Sequence, residues 1–202
     1  MPMLVAMTSS DTPLRGYQPI GGTLCLDFAN TVDWHDSERP VELLADSDSL
    51  ATWARMVGEG EPDVDAADLG CAIELRDALW AAFRATTRGQ PVPPAALVVL
   101  NRNLDLAPGH RRLALSGGRV EWSDRAVRGI DGLLTRIAGS AATLLTEPRR
   151  LSRVRMCEGE GCGWLFLDES RGARRRWCSM QSCGNRAKAR AHYRRKALLK
   201  QA

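Results

Sequence analysis

The sequence predicts an α+β fold: a mainly α-helical N-terminal domain with one β-hairpin, followed by a small, treble-clef-like C-terminal finger. Three observations lead there. Apolar residues recur at spacings of three and four through most of residues 19–148, the pattern of helices with one buried face. The period falls to two only around residues 111–122. Cys157, Cys162, Cys178 and Cys183 form two CxxxxC pairs with fifteen residues between them, and the second pair opens a basic stretch with helical spacing.

Residues 1–18 carry no sustained pattern and are expected to be disordered, with order beginning at Pro19. From Thr23 to Val32 a strand period (Leu24, Leu26, Phe28) competes with a helical one (Leu24, Phe28, Val32). The helix is preferred because Ala29 and Val32 extend its face. Asp33 to Pro40 then reads as a polar loop. Asp46-Ser47-Asp48 offers capping oxygens to a helix through Leu50, Trp53, Ala54 and Val57 that stops at Gly58. After a turn over residues 59–63, the longest helix runs from Asp65 to about Arg88 with Leu69, Ala72, Ile73, Leu75, Leu79 and Phe83 on its stripe, and Cys71 is expected to be a small core residue. Pro93-Pro94 starts a further helix with Ala96, Leu97, Leu100 and Leu104 on its face.

Leu113 and Leu115, a Ser116–Arg119 turn, and Val120 and Trp122 form the hairpin, which is expected to pack into the N-terminal core through Trp122. A last helix spans about Ala126 to Thr146, and Pro148 opens a short turn into the finger. Within the finger, Gly163–Leu167 reads as one strand of a hairpin rooted in the first cysteine pair. Trp164, Phe166 and Trp177 supply the dry shell that a module of this size cannot obtain from a core of its own.

Four thiolates at this spacing suit a closed tetrahedral Zn²⁺ site, each short pair wrapping one edge while the loop between them spans the other. Disulfides, a redox pair and an iron–sulfur cluster are the rivals. The opening MPMLVAMTSSD has no basic region followed by an apolar run of signal-peptide length. A reducing cytoplasm follows, where clustered cysteines more often hold metal than form bridges. With four protein ligands the expected zinc is structural, one per chain, and losing a thiolate should unfold residues 155–200 while sparing the N-terminal domain. No run approaches about eighteen apolar residues, so no membrane contact is expected.

The net charge of +4 hides a division. Residues 149–202 hold 15 Lys+Arg against 4 Asp+Glu, a net of +11, whereas residues 1–148 hold 13 against 20, a net of −7. Such a basic pole is the electrostatic footprint of a polyanion partner, DNA above all. On a helix starting near Cys183, Arg186, Arg190 and Arg194 make one stripe facing solvent with Tyr193 beside it, and Ala187, Ala191 and Leu198 turn toward the hairpin. Arg174, Arg175 and Arg176 before the second pair, Asn185 at the first turn, Lys188 and Arg195 complete the candidate nucleic-acid contacts.

The finger resembles the CGNR zinc fingers, named for the run that here is Cys183-Gly184-Asn185-Arg186. The match takes in Cys157, Cys162, the Trp164–Phe166 run, Asp168, Ser170, the basic run before Trp177-Cys178-Ser179-Met180, and Lys188. Members of that family pair the finger with an N-terminal ABATE domain, which is resembled here by Asp27-Phe28-Ala29-Asn30-Thr31 and the following Val41–Leu44 segment. The resemblance implies a stress-induced transcriptional regulator, bacterial and cytoplasmic.

Walker, GxGxxG, GxSxG and HExxH signatures are absent, and His35, His110 and His192 suggest surface polar residues rather than a nucleophile–base pair. The expected protein is therefore a DNA-binding regulator and not an enzyme. A small-molecule effector could be held by Asp27, Asn30, Thr31, Trp34, His35 and Arg76, and a homodimer is a further expectation. The structural alternative is that Asn30 and Thr31 cap a helix and Arg76 pairs with Asp27 or another buried acid. Two other functions compete: a finger that binds an acidic protein such as the transcription machinery, and an N-terminal domain that turns over a small molecule.

Overall fold

The computed structural model describes residues 14–106, 111–124 and 129–199, with the side chains of 111–114, 116, 121–124 and 197–199 outside the description. His110, Ala126, most of the expected N-terminal tail and the side chains of Trp122 and Leu198 therefore lie outside the described residues.

Helix α1, Leu24–Ala29, is enclosed on nearly every side, with Cys25, Leu26, Phe28 and Ala29 at 0% exposure. It is shorter than the expected 23–32. Thr31 closes the last turn through its backbone N–H (3.1 Å) and hydroxyl (2.8 Å), both donating to the Phe28 carbonyl. Val32 then leaves as β1, Val32–Asp33, antiparallel to β2, Val41–Glu42, so the expected loop is framed by a two-stranded ladder. The β-branched pair Thr31-Val32 favours that extended exit.

Local capping sets the next helices. Asp46 and Ser49 form a capping box for α2, Ser47–Met56, and Asp65 and Asp68 do the same for α3, Ala66–Thr87. Pro94 opens α4, Pro94–Asp105, at a position where the missing N–H costs nothing. Strands β3, Arg111–Ser116, and β4, Arg119–Asp124, form the expected hairpin with Leu115 opposite Val120. Its described tip faces solvent: Leu115 is 79% and Val120 65% exposed. Helix α5, Gly129–Leu145, and the single turn α6, Pro148–Leu151, lead into β5, Val154–Met156, and β6, Leu165–Leu167, which pair antiparallel. A π-helical turn, Met180–Gly184, runs into α7, Asn185–Leu199.

Three further expectations change. Leu14 and Tyr17, placed in the disordered tail, are buried: the Tyr17 hydroxyl donates to the Asp27 carbonyl (2.6 Å) and accepts from the Trp53 indole (3.2 Å). Cys71 is exposed, because it sits at the margin of the stripe in the first turns of α3, before neighbouring elements cover the helix. Leu97 on α4 is exposed as well.

The finger is not a separate body. β6 alternates, sending Leu165 and Leu167 into the same core as Phe28, Leu75 and Ile137 while Phe166 packs on the cysteine cluster. Val154 of β5 joins that main core too.

Candidate metal centre and basic helix

The four cysteines are buried, and their sulfurs lie within 4.8 Å of one another. Cys162 and Cys178 are 3.7 Å apart and Cys178 and Cys183 3.6 Å. Bonded sulfurs stand at about 2.05 Å. Thiolates on a tetrahedral zinc at about 2.3 Å stand roughly 3.8 Å apart, so the donor set fits the metal and not a disulfide. Hydrogen bonds from Cys162 and Cys178 hold the Cys157 thiol well below its ordinary value, while the bonds to Cys157 push Cys162 and Cys178 up. Four thiolates together require the divalent charge.

The turn that carries the first pair depends on glycine. Gly161 (φ 72°) and Gly163 (φ 67°) flank Cys162 in the left-handed region, and a Cβ on Gly163 would lie 2.7 Å from the Asp36 nitrogen. A Cβ on Gly159 would lie 2.8 Å from the Cys183 sulfur. Alternating glycine in Gly159-Glu160-Gly161-Cys162-Gly163 was the signal available for this packing. The N–H groups of Gly159 (3.4 Å) and Cys178 (3.3 Å) donate to the Cys157 sulfur. Arg186 donates to the Cys183 sulfur at 3.0 Å and lays its guanidinium over the Trp34 ring, 4.6 Å from the centroid. Trp34 is itself a non-glycine residue at positive φ (55°). Phe166, Trp164 and Trp177 surround the cluster as expected.

Several of the candidate effector residues are engaged in structural contacts. Asn30, 1% exposed, acts as a missing strand for β6: its Nδ2 donates to the Leu165 carbonyl and its Oδ1 accepts from the Leu165 N–H, both at 2.8 Å. Thr31 closes α1. Arg76 pairs with Glu42 (2.5 Å) and Asp77 (3.0 Å), not with Asp27. His35 is half-buried rather than a surface residue, stacked on Trp80 at 3.9 Å and 2°, and burial lowers its pKa from 6.5. Its backbone N–H donates to the Cys162 carbonyl, Asp36 to Gly161, and the Trp80 and Trp164 indoles to Gly163 and Val32. The loop that carries Trp34, His35 and Asp36 joins the two halves.

Asp27 accepts from the Gly21 N–H at 2.7 Å, yet burial pushes its carboxyl from 3.8 up to about 6. The folded-state value is the higher one, so the associated stability is complete below about pH 4 and is lost as pH rises through 6. Asp27→Asn keeps the acceptor without the charge. Its stabilising effect should be about 1 kcal/mol larger at pH 8 than at pH 5.5, measured as the difference in urea unfolding free energy from the parent. An effect that is flat across this range would place the titration elsewhere.

The basic residues divide. Arg175 is turned inward: its backbone N–H donates to Asp168 (2.8 Å), and its guanidinium lies 4.2 Å from the Phe166 centroid and bonds the Trp177 and Cys178 carbonyls. Arg176 pairs with Glu158 at 2.6 Å and lies over Trp177. Arg190 pairs with Glu160 at 2.7 Å. Arg174, Lys188, Arg194 and Arg195 are exposed, and Asn185 donates to the Gln181 carbonyl at 3.2 Å. Ala187 is half-buried, but Ala191 is exposed rather than packed on the hairpin.

A helical domain sharing one core with a four-cysteine finger, its basic helix projecting from the second pair, defines a zinc-finger protein of the regulator type. The chain belongs to the ABATE family, described as "Putative stress-induced transcription regulator", whose pattern matches residues 22–148. The CGNR zinc finger matches residues 153–196, and the four cysteines hold one structural zinc ion. No curated protein matches the chain. No helix among the described residues is long and apolar enough to cross a membrane.

Proposed function

We propose that this is a cytoplasmic, non-enzymatic regulator that binds DNA through the zinc-stabilised finger. The observation that carries the reading is α7, whose residues are exposed from Lys188 to Lys196 and which bears six Lys and Arg with no acidic residue. Helices that face solvent all round need some other reason for their composition, and a polyanion supplies it. The buried zinc holds the base of that helix in place. One finger spans few base pairs, so dimerisation is part of the proposal. An effector has better room at the joint, in a cavity of about 270 Å³ lined by Gln18, Asp33, Trp164, Gln181, Ser182 and Arg186, than at Asp27, Asn30 or Arg76.

The test is binding of a fluorescent mixed-sequence duplex to the zinc-loaded protein between 50 and 300 mM salt. Log affinity should fall linearly with log salt with a slope of about −3 to −5, and chelator should abolish binding. Affinity that is flat with salt, or unchanged after zinc removal, overturns the reading, and the acidic-protein partner then takes its place.

A further inference from the structure

We infer that the DNA-bearing face of α7 is Asn185, Lys188, His192 and Lys196 with Arg195 at its margin, and not the arginine stripe 186–190–194. This deepens the DNA-binding reading and rests on it.

At 100° per residue, Arg186, Arg190 and Arg194 fall on one side of α7 together with Ala187 and Ala191. That side closes a cleft of about 400 Å³ whose other wall is Glu158, Gly159 and Glu160. Two of its three cations are engaged, Arg186 on the Cys183 sulfur and Arg190 on Glu160. A phosphate approaching there meets carboxylates, a glycine turn and the thiolates of a zinc site that is itself a net dianion. Electrostatics disfavours a polyanion on that side.

On the opposite side of the helix, Lys188, Arg195 and Lys196 are exposed and no ion pair among the described residues holds them. Asn185, Lys188, His192 and Lys196 lie within a narrow arc, all of them exposed. A groove of about 310 Å³ adjoins its base, lined by Arg174, Arg175, Arg176, Trp177 and Met180, in which Arg174 is exposed while Arg175 turns inward and Arg176 pairs with Glu158. The Met180 sulfur lies against Gly184, 2.5 Å from where a Cβ would stand. Gly184 precedes Lys188 by four residues and Arg195 by eleven, so the groove and the lysine face are neighbours around the helix. Together they make one positive surface with no acidic side chain on the helix, and a lone projecting helix suits the major groove, about 12 Å wide.

Two variants decide the face, with zinc content and circular dichroism as folding controls. Lys188→Ala/Arg195→Ala/Lys196→Ala should lower affinity for the mixed duplex at 100 mM salt by about 30-fold or more and make the salt slope shallower by about two to three. Arg190→Ala/Arg194→Ala should change affinity by less than about threefold and the slope by less than about one. The reverse order, or equal losses in both variants, overturns the assignment while leaving DNA binding standing. A parent protein with no salt-dependent DNA binding removes the function itself, and this face with it.

Discussion

Replacing Cys183 with serine is expected to destabilise the whole described chain, not the finger alone. Spacing suggested a module that could unfold by itself and spare the N-terminal domain. The structure changes that expectation, because Val154, Leu165 and Leu167 pack among Phe28, Leu75 and Ile137 in one core. Structural zinc contributes on the order of 10–16 kcal/mol in isolated finger peptides. A domain's entire stability is about 5–15 kcal/mol. Loss of one thiolate therefore removes a term as large as the total, and β6 cannot leave without uncovering α1. Hydrogen exchange by mass spectrometry should show α1 and the C-terminal half of α3 losing protection together with residues 154–167, and chelation should do the same to the parent. Retained protection in α1 with selective exchange of the finger would show two independent units.

Asn30→Ala carries the second large effect. The side chain satisfies both the N–H and the carbonyl of Leu165, at 2.8 Å each and almost wholly out of water. Truncation strands two buried backbone groups, each costing about 1–3 kcal/mol, for a loss of about 2–5 kcal/mol. Asn30→Asp should not rescue it, since a carboxylate cannot donate to the Leu165 carbonyl. Urea unfolding of both variants provides the measurement. A loss under about 1 kcal/mol in Asn30→Ala would mean that water replaces the amide and that the joint is looser than it looks.

How much of this was legible depended on distance along the chain. Asp46 was readable as a cap because capping acts over three residues, and the cysteine pairs because their geometry is fixed by short loops. Asn30 looked like a ligand residue or a helix cap for the same reason that it is buried: it is polar beside an apolar run. Its partner is 135 residues away, which no local pattern encodes. His35 and Trp34 misled similarly, since their stacking partners Trp80 and Arg186 come from distant segments. Cys71 shows the limit of periodicity, which locates a stripe but not its edge. The orientation of α7 was hidden because its alanines are too small to mark a buried face, whereas the glutamates that claim Arg176 and Arg190 sit in the cysteine turn.

Pairing between residues 21–32 and 164–167 also has a consequence during synthesis. Gly21 accepts from Leu167, Val32 accepts from Trp164, and Asn30 holds Leu165. At roughly 5–20 residues per second, ribosomes take about 7–27 s to deliver those partners after α1 has emerged. Throughout that interval Leu26 and Phe28 have no finger strand to cover them, so the nascent chain must keep an apolar helix from wandering. Completion of the N-terminal core thus waits on residues 164–167, and closure of the metal site waits on the second cysteine pair that follows them.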